Sequence, residues 1–90
     1  MTPARLPGSA PGPRRLFVIE ALPAADSLLR ILEPFALQQA RLTAVAMEQA
    51  HDALNVRIEA EDLCDQRAER LRRRLQVLPT VRSVALGWRS

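Results

Sequence analysis

The chain reads as an α+β domain of order β-α-β-β-α-β, a four-stranded antiparallel sheet with two helices on one face. Three observations predict this. Leu54–Ala60 (LNVRIEA) alternates apolar and polar residues at the period of a half-buried strand. Two longer segments, after Asp26 and after Asp62, carry leucines at helical spacing. Short β-rich runs precede and follow these segments in the order the topology requires.

Leu16–Ala21 (LFVIEA) makes the first strand and Leu22–Ala25, with Pro23, a loop. Asp26 or Ser27 is the expected cap of the first helix, its side-chain oxygen accepting from the free N–H groups of the first turn. Within SLLRILEPFALQQA, Leu28, Ile31, Leu32 and Phe35 share a face, and Pro34 is expected to kink or tighten the helix. RLTAVAMEQ (41–49) is the second strand, with Thr43, Val45 and Met47 expected on one side and Leu42, Ala44 and Ala46 on the other. Ala50–Ala53 is the hairpin turn and Leu54–Ala60 the third strand. Asp62 is expected to cap the second helix, with Asp65 three residues on. Ala68, Leu71, Leu75 and Leu78 form its inner face, Pro79 ends it, and Val81–Gly87 is the fourth strand.

This order is the split-βαβ, ferredoxin-like arrangement. Right-handed crossovers place both helices on one face, and the usual strand order, 4-1-3-2, makes strand two an edge. That edge is apolar on both sides, which invites pairing with a second chain. The reading is a homodimer joined through Thr43, Val45 and Met47; the competing reading covers the strand with the chain's own N-terminal tail.

Ninety residues allow one domain. The stretch 1–15, MTPARLPGSAPGPRR, holds four of the seven prolines and two of the three glycines and reads as a disordered arm; 16–88 reads as the domain. All 13 basic residues are Arg, but from Leu16 onward 10 Arg balance 10 acidic residues. A near-neutral domain argues against a nucleic-acid binder. One Cys excludes an internal disulfide and suits a reducing compartment. No apolar run approaches the roughly 20 residues of a membrane span, and residues 1–15 lack the apolar segment of a secretory signal.

LLRILEPFALQQARLTAVAM resembles the stretch of ACT domains that runs through helix one into strand two, with Leu28, Arg30, Ile31 and Phe35 on matching positions. LQVLPTVRSVAL resembles the family's exit from helix two into strand four. Among ACT proteins the chain looks most like the small regulatory subunit of acetolactate synthase in its single-ACT form. That resemblance implies a cytoplasmic, side-by-side homodimer, non-catalytic and without cofactor of its own. It also implies a catalytic partner subunit that uses thiamine diphosphate, and a role in branched-chain amino-acid synthesis. The residues at the family's effector-contact positions are Ala25, Asp26, Ser27, Leu28, Arg41 and Leu42. Ala25 and Asp26 stand where the family carries Pro-Gly, whose glycine permits close backbone approach, and Arg41 stands where it carries Asn. The departures favour a subunit that activates or stabilises its partner over one inhibited by valine. The alternative is a free-standing amino-acid sensor.

No catalytic or metal constellation stands out. Cys64, early in helix two, lacks a second Cys or nearby His and reads as inert. His51 reads as solvated in its turn, and one His cannot build a metal site. Glu59, Glu61 and Asp62 cluster at a strand end, where capping accounts for Asp62. The run Arg67, Arg70, Arg72, Arg73, Arg74 reads as a solvated helix face with a Glu69–Arg73 pair. Its use on phosphate is the weaker reading, since strand three has no aromatic on which bases could stack. Trp88 reads equally as a plug for the domain's own edge or an anchor for a partner.

Overall fold

The computed structural model describes residues 14–89. The arm expected at the N-terminus therefore falls, over residues 1–13, outside the described residues. The element order is β1 (Arg14–Ala21), α1 (Ser27–Leu37), β2 (Arg41–Ala50), β3 (Ala53–Glu61), α2 (Asp65–Gln76) and β4 (Val81–Arg89). The four strands pair antiparallel in the order β2-β3-β1-β4, so β1 and β3 are central and β2 is an edge, as its position in the sequence predicts. The fold is the ferredoxin-like α+β arrangement.

Strand alternation builds the core. Phe17, Ile19 and Ala21 of β1 and Leu54, Val56, Ile58 and Ala60 of β3 are buried on one face, where Ile31 and Phe35 of α1 and Ala68, Leu71 and Leu75 of α2 meet them. The Phe17 and Phe35 rings pack edge to face at 5.0 Å, a geometry that aromatic quadrupoles favour. Leu63, just before α2, is also buried.

Several expectations are corrected. β1 starts at Arg14 rather than Leu16. Arg15, expected in the arm, is 4% exposed and lies on the core side. Its Nε donates to the Leu63 carbonyl at 3.1 Å and its Nη2 to Asp65 Oδ1 at 2.6 Å, which ties β1 to the start of α2. Neither helix is capped as expected. The Asp26 side chain makes no cap bond, because its carboxylate accepts from Arg30 Nε at 2.6 Å. Ser27 Oγ instead donates back to the Leu22 carbonyl at 2.7 Å. Cys64, not Asp62, precedes α2; Asp62 takes a left-handed conformation, φ 59°, with its carboxylate 3.7 Å from Arg41. α1 runs through Pro34 to Leu37 without a break.

The arginine run is less uniform than a solvated face. Arg67 donates to the Gln38 carbonyl, satisfying an end group of α1. Glu69 accepts from Arg72, one residue nearer in the chain than the expected Arg73, which lies 3.7 Å away. Hydrogen bonding to Arg72 holds the Glu69 carboxyl below its ordinary range. The hairpin turn is His51–Asp52, between the paired Ala50 and Ala53; His51 adopts φ 47°, a region in which His is enriched.

Candidate functional site

β2 is the element the fold leaves uncovered: all ten of its residues are exposed. Its register explains which side chains face where. Opposed residues of neighbouring strands share a face of the sheet, and Leu42, Val45 and Met47 oppose Ala60, Ile58 and Val56, all on the core side. Thr43 is the extra residue of a bulge, and its Oγ1 donates to the Glu59 carbonyl at 3.2 Å. The bulge shifts the expected alternation by one residue. Leu42 joins Val45 and Met47 on the helix side, while Ala44 and Ala46 face the open side. Neither helix covers these three, which remain 37%, 44% and 55% exposed. An apolar row beside unpaired backbone groups is a pairing surface.

A second feature lies where β1 hands over to α1. The Leu22 carbonyl accepts from both the Ala24 N–H and Ser27 Oγ, and the Ser27 N–H donates to the Ala24 carbonyl. These bonds fold the loop tightly over a fully buried Ser27. They set Ala24, Ala25 and Leu28 opposite Met47, Gln49 and Leu54 around an open hollow of about 240 Å³, with Pro23 at its rim. The Asp26 carboxylate is engaged by Arg30, which holds it below its ordinary range, so it does not line the hollow. Of the six residues at the family's effector-contact positions, Ala25 and Leu28 line the hollow, Ser27 supports it from beneath, and Asp26 is turned to Arg30. Arg41 and Leu42 are elsewhere: they open β2, about 25 Å along the strand from Gln49. One chain therefore does not assemble all six. Pro23, Ala24, Met47, Gln49 and Leu54 were not singled out from the sequence as lining this hollow, because the register that joins the end of β2 to the start of β3 is what gathers them.

Among the described residues no group of three or more His, Cys, Asp or Glu side chains could hold a metal. Glu61 faces Arg14 at 3.6 Å and Asp62 faces Arg41, which separates the acidic cluster into ion pairs. Cys64 is exposed. No described helix is long and apolar enough to cross a membrane.

An open sheet edge beside a small hollow gives this ferredoxin-like domain two surfaces on which another molecule can be held. The chain belongs to the ACT-like domain family, whose description matches residues 13–89. ACT domains are generally regulatory or ligand-sensing, and this is an ACT-domain protein. No curated protein matches the chain in sequence. In three dimensions it is similar to the ACT domain of a GTP pyrophosphokinase from Chlorobium tepidum, with a TM-score of 0.74 at 8% identity, over 87% of this chain and 100% of that one. It is also similar to the C-terminal domain of the MgtC protein from Mycobacterium tuberculosis, with a TM-score of 0.71 at 15% identity, over 86% of this chain and 87% of that one. A formyltetrahydrofolate deformylase from Pseudomonas putida KT2440 matches with a TM-score of 0.60 at 10% identity, over 86% of this chain but 28% of that longer one. At these identities the likeness concerns the fold.

Proposed function

We propose that the chain is a non-catalytic regulatory subunit that dimerises through β2 and biases a larger enzyme toward its active arrangement, with the catalytic subunit of acetolactate synthase as that enzyme. The supporting observation is the uncovered β2, whose Leu42, Val45 and Met47 gain cover from a second copy. The partner assignment draws on the resemblance at Leu28, Arg30, Ile31 and Phe35. Ile31 and Phe35 are core positions, so this pattern speaks mainly to fold and an assay must identify the partner. A bias of this kind requires different contacts with the two states of the enzyme.

The test is acetolactate synthase activity of the catalytic subunit from the same organism, with and without this protein, with and without valine. Raised activity that valine leaves unchanged supports an activating subunit. No change in activity, together with no co-elution, removes the partner assignment.

A specific observation favours a second reading, an amino-acid sensor. The hollow at Ala24, Ala25 and Leu28 is open, and Asp26 does not intrude on it. An antiparallel two-fold pairing of β2 with a second β2 sets the mate's Arg41 and Leu42 beside this hollow, which completes the six-residue set across two chains. Raised activity that valine suppresses, or a rise in melting temperature with an amino acid, supports this reading.

A further inference from the structure

The groove between the two helices is also open. Val77, Leu29 and Leu37 are the most exposed large apolar side chains among the described residues, more so than any in β2. Two of them share one place. Leu37 of α1 and Val77, the residue that caps α2, line a hollow of about 250 Å³ with Pro34 and Leu78, and Arg30, Glu33 and Arg74 complete its lining. An apolar hollow rimmed by charge is the form an interaction site takes.

Helical spacing places the charge. Arg67, Arg70, Arg74 and Val77 stand at i, i+3, i+7 and i+10 and form one stripe along α2. The stripe borders α1: Arg67 donates to the Gln38 carbonyl, and Arg74 lines the hollow opposite Glu33 and Leu37. Arg70 and Arg74, four residues apart, have no hydrogen bond or ion pair with any described residue. The nearest carboxylate along α2 is engaged elsewhere: Glu69 accepts from Arg72 and lies 3.7 Å from Arg73. Like charges one turn apart weaken a helix, and of the two only Arg74 sits in the last turn, where the helix end offsets that cost. On the facing wall Arg30 is held by Asp26 at 2.6 Å, and Glu33 acts on Arg30 from the same helix. The unbalanced positive charge therefore lies on the α2 wall.

We propose that this groove holds an acidic segment of a partner protein, with an apolar side chain in the hollow and carboxylates on Arg70 and Arg74. Charge complementarity selects the acidic partner. The hollow is smaller than the roughly 300–1,000 Å³ of small-molecule pockets, and suits a single apolar anchor of the kind on which interfaces concentrate their binding energy. A flat bilayer reaches Val77 and the arginines, but not the buried Pro34 or half-buried Leu78 on the floor. No β2 residue lines the hollow, so pairing through β2 leaves it open. The inference rests on the regulatory reading only for the existence of a partner protein, not for which enzyme it is.

The experiment is fluorescence anisotropy of the full chain with three labelled synthetic peptides, each of about three helical turns. The first carries leucines at i, i+4 spacing among glutamates, the second has serine for those leucines, and the third has lysine for the glutamates. The first is expected to bind, less tightly as salt rises, and the other two at least about tenfold more weakly. Amide resonances are expected to shift at Leu37, Arg74 and Val77 and not at Val45. Arg70 and Arg74 are exposed, so R70E/R74E is expected to keep the fold, as circular dichroism would report. This variant loses the glutamate peptide and gains the lysine one, whereas Glu33→Gln tightens the glutamate peptide. Equal binding of the glutamate and lysine peptides, binding that R70E/R74E leaves unchanged, or no binding of the first peptide overturns the proposal. Phosphatidylserine vesicles that bind wild type but not R70E/R74E, when no peptide binds, overturn it in favour of a lipid surface. Co-elution separates this inference from the enzyme assignment. An acetolactate synthase catalytic subunit that co-elutes with wild type and not with R70E/R74E supports both. One that never co-elutes while the glutamate peptide binds removes that enzyme and leaves the groove. One that co-elutes equally with both proteins supports the enzyme and overturns the groove.

Discussion

Arg15 shows what one side chain can do here. A guanidinium buried beneath the end of the sheet is acceptable because its donors are used, on the Leu63 carbonyl and on Asp65. Arg15→Met strands the Leu63 carbonyl and is expected to cost about 2 kcal/mol, seen as a fall in melting temperature of about 10 °C. Asp65→Ala is expected to cost less than about 1 kcal/mol, because the Asp65 side chain is 81% exposed. Equal losses in the two variants would show that the carboxylate, not the carbonyl, is what Arg15 serves. Two exposed carboxylates contribute to the response to acid. Hydrogen bonding to Arg30 holds Asp26 below its ordinary range, and Arg72 does the same for Glu69. The unfolded chain therefore takes up protons at a higher pH than the folded one. The stability these groups contribute is full above the ordinary carboxylate range, about pH 4–5, and is lost as pH falls through their lowered values. Urea midpoints measured from pH 6 to pH 3 are expected to fall modestly, since both pairs are in water. The fall is expected to be shallower in D26N/E69Q.

In α1 the informative feature is Pro34. The helix continues past it, so the Arg30 carbonyl has no N–H from residue 34 to accept. Pro34→Ala supplies that donor and removes the ring clash, at the loss of a buried ring. The gain is expected to exceed the loss by about 1 kcal/mol, read as a higher melting temperature; a lower one would mean that packing of the ring outweighs the missing bond. In β2 the informative feature is the bulge at Thr43. It adds one residue between Leu42 and Ala44, and so decides that Leu42 faces the helix side. Deleting Thr43 joins two residues that already oppose neighbours in β3. The deletion is expected to fold with its pairing intact, as amide exchange of β3 would report.

For the assembled domain the question is what covers β2. One small domain of residues 14–89 buries a limited share of its surface, and a second copy would add to it. Val45→Glu puts two carboxylates at the centre of the proposed β2 pairing while leaving the monomer's core untouched, because Val45 is 44% exposed. The variant is expected to lose edge dimers in size-exclusion chromatography with light scattering and, with them, any response to an amino acid. If the effector response survives in a V45E monomer, the hollow works within one chain and the shared six-residue site is wrong.

Much of this protein is legible from local pattern. Alternation in β1 and β3, helical spacing in α1 and α2, and the order of the six elements lead to the fold, because burial of one strand face and one helix stripe has few solutions. The edge position of β2 follows from that topology. Other features required the packed chain. Arg15 reads as part of a basic, proline-rich arm until the register of β1 with β3 places it over Leu63 and Asp65. The start of α2 and the role of Asp62 depend on the burial of Leu63, a contact remote in sequence. The sides of β2 turn on a bulge that its nearly uniform apolar composition cannot signal. The hollow at Ala24, Ala25 and Leu28 arises where distant strands come into register. Local sequence sets which faces must be buried; register, a long-range property, sets which residues then meet.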